Sequence, residues 1–128
     1  MAKIVAIANQ KGGVGKTTTK EMVAAVMASS FRIIKTEGNQ NNEIGAPKTL
    51  MSITPETEVA VVEMGMSHLG EIARLVRAAR PSAGIITMIG VSHLENLGTR
   101  ENILKAKMEI CQGLPDGAPL VLNADDDL

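Results

Sequence analysis

Tryptophan and tyrosine are absent from this 128-residue chain, and phenylalanine occurs once, at Phe31. Without aromatic side chains there is no platform on which single-stranded nucleic acid could stack. Charge of one sign is lacking too: 13 Lys and Arg against 14 Asp and Glu leave a formal charge of −1. That balance gives no electrostatic reason to expect a nucleic-acid partner. The single cysteine, Cys111, excludes an intrachain disulfide and suits a reducing compartment. No apolar run approaches the ~18–20 residues of a membrane span. The N-terminus does not read as a signal peptide, so the expectation is a cytoplasmic protein with no membrane partner.

What is present is aliphatic. Eight methionines join Val, Ile, Leu and Ala as core material. The length suits one domain, residues 1–128, with room for a five-stranded α/β core.

The chain is organised around Gly12-Gly13-Val14-Gly15-Lys16-Thr17-Thr18-Thr19, between the apolar run Ile4–Ala8 and a helix-like segment opening near Thr17. Strand, glycine turn and helix start in that order make a phosphate-binding loop. Glycines let successive backbone N–H groups converge on a phosphate, and the helix N-terminus adds unpaired donors and a favourable dipole. Lys16 would reach the β- and γ-phosphates and the Thr17 hydroxyl would meet Mg²⁺. Gly12, Gly13, Val14, Gly15 and Thr18 complete the expected nucleotide contacts. The most common loop spacing would need glycine at position 10, which is Gln10.

Periodicity predicts a helix over Lys20–Ser29, with Met22, Val23, Val26 and Met27 on one face. A short strand follows at Arg32–Thr36, then a polar loop over Glu37–Pro47 and a short helix over Pro47–Ser52. Val59–Glu63 reads as a strand covered on both faces. Ser67 is expected to cap a helix running to Ala79, with Leu69, Ile72, Leu75, Val76 and Ala79 inward and Gly70 in its first turn. Pro81 ends it, and strands are expected at Ala83–Ile89 and Leu120–Leu122 around a helix over Thr99–Gln112. The alternation predicts a parallel sheet with helices on both faces. The terminal acids Asp125–Asp127 are either a solvated tail or the opening of a further element.

Three more residues carry candidate chemistry. Glu63, at a strand's carboxyl end, is either an Mg²⁺ ligand facing the phosphate site or a solvated strand-end acid. His93 holds the equivalent place after the fourth strand, as a ligand or as a loop histidine with a capping role. His68 reads as a surface residue. Lys107 falls within the apolar arc Ile103, Leu104, Met108 and Cys111, so it either snorkels to the rim or aims at the phosphate site.

Two family resemblances follow from these motifs. Residues 1–19, with Lys11-Gly12-Gly13-Val14-Gly15-Lys16-Thr17, resemble the deviant loop of ParA/MinD-type partition ATPases. That resemblance implies that Lys11 reaches a nucleotide across a homodimer interface. Residues 12–128 resemble the central ATP-binding domain of the Mur ligases, most specifically the MurF branch. The resemblance rests on Gly12-x-x-Gly15-Lys16-Thr17-Thr18-Thr19-Lys20-Glu21-Met22, Lys35–Pro47, Val62-Glu63-Met64-Gly65 and Ile89–Gly98. It implies a P-loop-containing nucleoside triphosphate hydrolase-like fold, ATP or ADP with Mg²⁺ as cofactors, and a carboxylate activated as an acyl phosphate before amide formation in peptidoglycan synthesis. It further implies that Lys16 and Thr17 hold phosphate and metal, that Glu63 binds Mg²⁺, and that His93 binds a second Mg²⁺. Lys107 matches a lysine that is carbamylated in several members, which gives it a catalytic role beside Lys16.

The resemblance also implies flanking substrate domains that are not in these residues, and Met88 stands where the family usually has Asn. The simplest reading is a chimera: a partition-type strand and loop over residues 1–19 joined to part of a Mur central domain over 20–128. The expected function is a Mg-nucleotide-binding module with at most weak ATPase activity. The alternatives are a folded chimera holding only phosphate or sulfate, and a fragment of an active ligase. If Thr17 and Glu63 share one Mg²⁺, their strands must be neighbours, which predicts the order 2-3-1-4-5.

Overall fold

The computed structural model describes residues 2–10, 16–38, 44–89 and 94–128, and the side chains at 9, 10 and 16–18 lie outside that description. In chain order the elements are β1 (Lys3–Gln10), α1 (Lys16–Ala28), β2 (Ile33–Lys35), α2 (Gly45–Met51) and β3 (Val59–Met66). They continue with α3 (Glu71–Ala79), β4 (Ala83–Ile86), α4 (Leu94–Leu97), α5 (Arg100–Met108), a 3-10 turn (Glu109–Gly113) and β5 (Leu120–Leu122).

The strands form one parallel sheet in the order β2-β3-β1-β4-β5, as the shared-metal argument predicts. β1 and β3 pair along their whole length, from Lys3 opposite Val59 to Gln10 opposite Met66. All eight residues of β3 are buried, which suits a central strand with both faces covered.

Alternation along the central strands sorts the core into two layers. Ala6, Ala8, Ala60, Val62 and Met64 pack with Ile72, Val76, Ile103 and Ile110 of α3, α5 and the turn that follows it. Val5, Ile7, Val59 and Val61 turn the other way, against Ala24, Val23 and Met27 of α1. Glu63 follows Val61 by two, so it shares the α1 face. Against the α3 side the 3-10 turn comes very close: a Cβ at Gly113 would stand 2.6 Å from Val76 Cβ.

Several boundaries and faces differ from the sequence reading. Met22 and Val26 are 64% and 71% exposed, so the inner face of α1 is Lys20, Val23, Ala24 and Met27 instead. Ser67 does not cap α3; Gly70 occupies the N-cap at φ 92°, and Leu69 is exposed. The Ser67 amide instead donates to Glu71 Oε2 at 2.7 Å. β3 runs on past Glu63 to Met66, β4 stops at Ile86, and α4 was not foreseen. Thr99 does cap α5, accepting from the Asn102 amide at 3.1 Å. The acid run is not a loose tail: Asp126 accepts from the Ile89 amide at 2.6 Å and from Arg100 at 3.1 Å.

Candidate functional site

The carboxyl end of β1 and the first turn of α1 stand on either side of the glycine loop. Lys11, Gly12, Gly13, Val14 and Gly15 lie outside the described residues. Lys16, Thr17 and Thr18 form the first turn of α1, with their side chains outside the description. This connection brings a helix N-terminus, with its unpaired N–H groups, directly after a buried parallel strand.

Glu63 is the acid beside that connection. It pairs with Ile7 of β1, three residues before that strand ends, and it is fully buried. Its amide donates to Thr36 Oγ1 at 3.0 Å, and Thr36, just past β2, is buried as well. The solvated-acid alternative therefore fails. A buried carboxylate needs a counter-charge, and one is present: Lys20 Nζ stands 3.7 Å from Glu63 Oε2, both side chains being at most 1% exposed.

Lys20 was not singled out by the sequence, although it lies one helical turn past Lys16 on the inner arc of α1. Its ammonium donates to the Gly38 carbonyl at 2.6 Å and lies 3.6 Å from Glu21 Oε1. Glu21 in turn pairs with Lys35 at the end of β2. That hydrogen bond holds the Glu21 carboxyl below its ordinary value and the Lys35 ammonium above its own. The result is a row of alternating charge, Lys35, Glu21, Lys20 and Glu63, running from the rim into the core.

Lys107 is fully buried on α5 and donates to the carbonyl of Met88, just beyond β4. It does not snorkel. The buried arc of α5 and its 3-10 extension is Ile103, Ala106, Lys107 and Ile110, while Met108 and Cys111 are exposed. His93 lies outside the described residues, in the segment between Met88 and α4. His68 is at the surface, beside Glu71.

The donor set at Glu63 fits a hard cation of the magnesium type. Among the described residues no cluster of three or more His, Cys, Asp or Glu exists that would hold a metal by protein groups alone. Magnesium is characteristically held by one or two carboxylates together with substrate phosphates, which is what Glu63 beside a phosphate loop would offer. No helix among the described residues is long and apolar enough to cross a membrane.

The family model for the Mur ligase middle domain matches residues 12–128. The chain belongs to the Mur ligase family. It is 50% identical over 117 residues to UDP-N-acetylmuramoyl-tripeptide–D-alanyl-D-alanine ligase of Bacillus subtilis, covering 91% of this chain and 26% of that protein. It is similar in structure to MurF from Acinetobacter baumannii, with a TM-score of 0.89 and 33% identity over 98% of this chain and 27% of the other. MurF ligase from Thermotoga maritima, solved in complex with ADP, gives 0.85 and 35% identity over 97% of this chain and 28% of the other. The chain thus spans about a quarter of the length of these relatives. Its sheet order and helices are those of a Mur ligase middle domain of the MurF type.

Proposed function

We propose that this chain is the nucleotide-holding part of a MurF-type ligase and binds Mg-ADP or Mg-ATP at the loop between β1 and α1. The observation that carries this reading is the Thermotoga maritima relative: it was solved with ADP, and it aligns over 97% of this chain. The buried carboxylate of Glu63 on the strand beside β1 supports it from the chemistry of the site.

Residues take roles accordingly. Backbone donors of Gly12, Gly13, Val14 and Gly15, with Lys16 and Thr18, hold the phosphates. Thr17 and Glu63 hold one Mg²⁺ and His93 holds a second. The metal, when bound, neutralises phosphate charge and orients the γ-phosphoryl group. Lys107, anchored at the end of β4 and modified by carbamylation, serves the same centre. Ligation, the activity in the name of a protein about four times as long, is the further step of the same proposal, by way of the acyl phosphate that the family resemblance implies.

A partition-type origin of the first strand is a second reading, resting on the Lys11-Gly12-Gly13-Val14-Gly15-Lys16-Thr17 spacing alone, since MurF from Acinetobacter baumannii aligns over 98% of this chain. On that reading Lys11 contacts nucleotide across a homodimer, and Lys11→Ala abolishes any ATP-dependent increase in molecular size seen by light scattering. The main proposal is tested by calorimetry with Mg-ADP, with inorganic phosphate and sulfate as competitors. Saturable Mg-ADP binding far tighter than either anion supports the nucleotide module. Equal, weak binding of all three supports a site for simple anions instead.

A further inference from the structure

We propose that Lys20 is a positioning residue for the metal-binding carboxylate, fixing Glu63 and tying it to the backbone that follows β2. This inference rests on the reading of Glu63 as an Mg²⁺ ligand.

A fully buried lysine is a costly feature, because desolvating an ammonium must be offset by specific partners. Lys20 has three, on three different segments: Gly38 O at 2.6 Å, Glu21 Oε1 at 3.6 Å and Glu63 Oε2 at 3.7 Å. The contact to Gly38 is a charge-assisted hydrogen bond. The contact to Glu63 is longer than a hydrogen bond, so Lys20 attracts that carboxylate without taking up one of its lone pairs. Such a contact acts through charge and restricts the Glu63 rotamer. Meanwhile Thr36 Oγ1 accepts from the Glu63 amide and fixes the backbone from the β2 side. The segment just after β2 therefore holds Glu63 twice, through Thr36 directly and through Gly38 by way of Lys20.

A purely structural ion pair would contribute to stability and nothing else. A positioning role predicts an effect confined to the metal-dependent part of nucleotide binding. Partners one shell out from a metal ligand commonly change metal affinity by ~10–100-fold when removed.

The experiment is calorimetric titration of ADP, with and without Mg²⁺, into the parent, Lys20→Met, Lys20→Arg and Glu63→Gln, each verified as folded by circular dichroism. The expected result is that Lys20→Met loses about tenfold or more of the Mg²⁺ enhancement. Its metal-free ADP affinity should stay within about threefold of the parent, and Lys20→Arg should recover part of the loss. A folded Lys20→Met with the parent's Mg²⁺ enhancement, or a larger one, overturns the proposal. Should that variant not fold, Lys20→Gln keeps a donor for Gly38 and drops the charge, and the same two outcomes decide. Unchanged Mg²⁺ enhancement in Glu63→Gln, or none in the parent, would instead show that the metal reading of Glu63 is wrong, and the role of Lys20 falls with it.

Discussion

The ammonium of Lys107 donates to the carbonyl oxygen of Met88, joining the last turn of α5 to the segment just past β4 inside the protein. The burial of Lys107 follows from α5 and the 3-10 turn after it packing Ile103, Ala106 and Ile110 into the core. Replacing Lys107 with Met keeps the stem and deletes the charged donor. We expect a folded protein less stable by about 1.5–3 kcal/mol, the usual range for a hydrogen bond to a charged group. Urea denaturation measures this, and an unchanged midpoint would contradict it. The proposed carbamylation, which would replace this ammonium, predicts a carbamate resonance in carbon-13 NMR of the parent in labelled bicarbonate that is missing from Lys107→Met; a parent without it contradicts that part of the proposal.

Glu109 acts at a distance in sequence on the start of α3. Its carboxylate accepts from the Gly70 amide at 2.8 Å and from the Ala73 amide at 3.2 Å, satisfying donors that the helix cannot. Glu109→Ala should cost about 1–2 kcal/mol, the scale of a lost helix cap. Glu109→Gln should cost less, because an amide oxygen still accepts while the favourable charge at the helix N-terminus is gone. Equal stability of the two variants would argue against the cap.

The pair of Glu21 and Lys35 sets a pH dependence. Lys35 holds the Glu21 carboxyl below its ordinary 4.5, so its contribution is present above pH 4.5 and fades as pH falls through the lower folded value. Glu21 holds Lys35 above its ordinary 10.5, so that contribution is complete below pH 10.5 and fades as pH rises through the higher value. Glu21→Gln should therefore melt below the parent between those limits, with the gap closing at both ends. The gap should also shrink in high salt, because both groups reach solvent. A gap independent of pH would mean that the pair acts through packing alone.

Much of this architecture was legible because it depends on periodicity. Alternating strand and helix patterns predicted a parallel sheet, and the need to bring Thr17 near Glu63 predicted β3 beside β1. Faces were read less well where apolar side chains stand exposed. Met22 and Val26 repeat at helical spacing with Val23 and Met27, yet they lie outside the arc that α1 presents to Val5 and Val61. Burial of charge was the least legible feature. Glu63 and Lys20 are far apart in sequence; Lys20 reads as an ordinary solvated residue, and Glu63 as a metal ligand or a solvated acid, until the sheet brings α1 over β3. Spacing did contain a hint for Lys20, since a residue four after Lys16 must lie on the same side of α1. Similarly, the link from Asp126 to Ile89 and Arg100 depends on β5 lying beside β4, which no local pattern at the acid run shows.

Lys16 gives the most direct test of the central claim that the loop between β1 and α1 holds a nucleotide through its phosphates. By the motif's chemistry its ammonium would add a charge-assisted phosphate contact to those of backbone N–H donors. Mg-ATP should be titrated calorimetrically into the parent and Lys16→Ala, each confirmed as folded by circular dichroism. The account predicts measurable binding by the parent, weakened by about 1.5–3 kcal/mol in Lys16→Ala. Equal affinity in two folded proteins, or no binding by the parent, would contradict it.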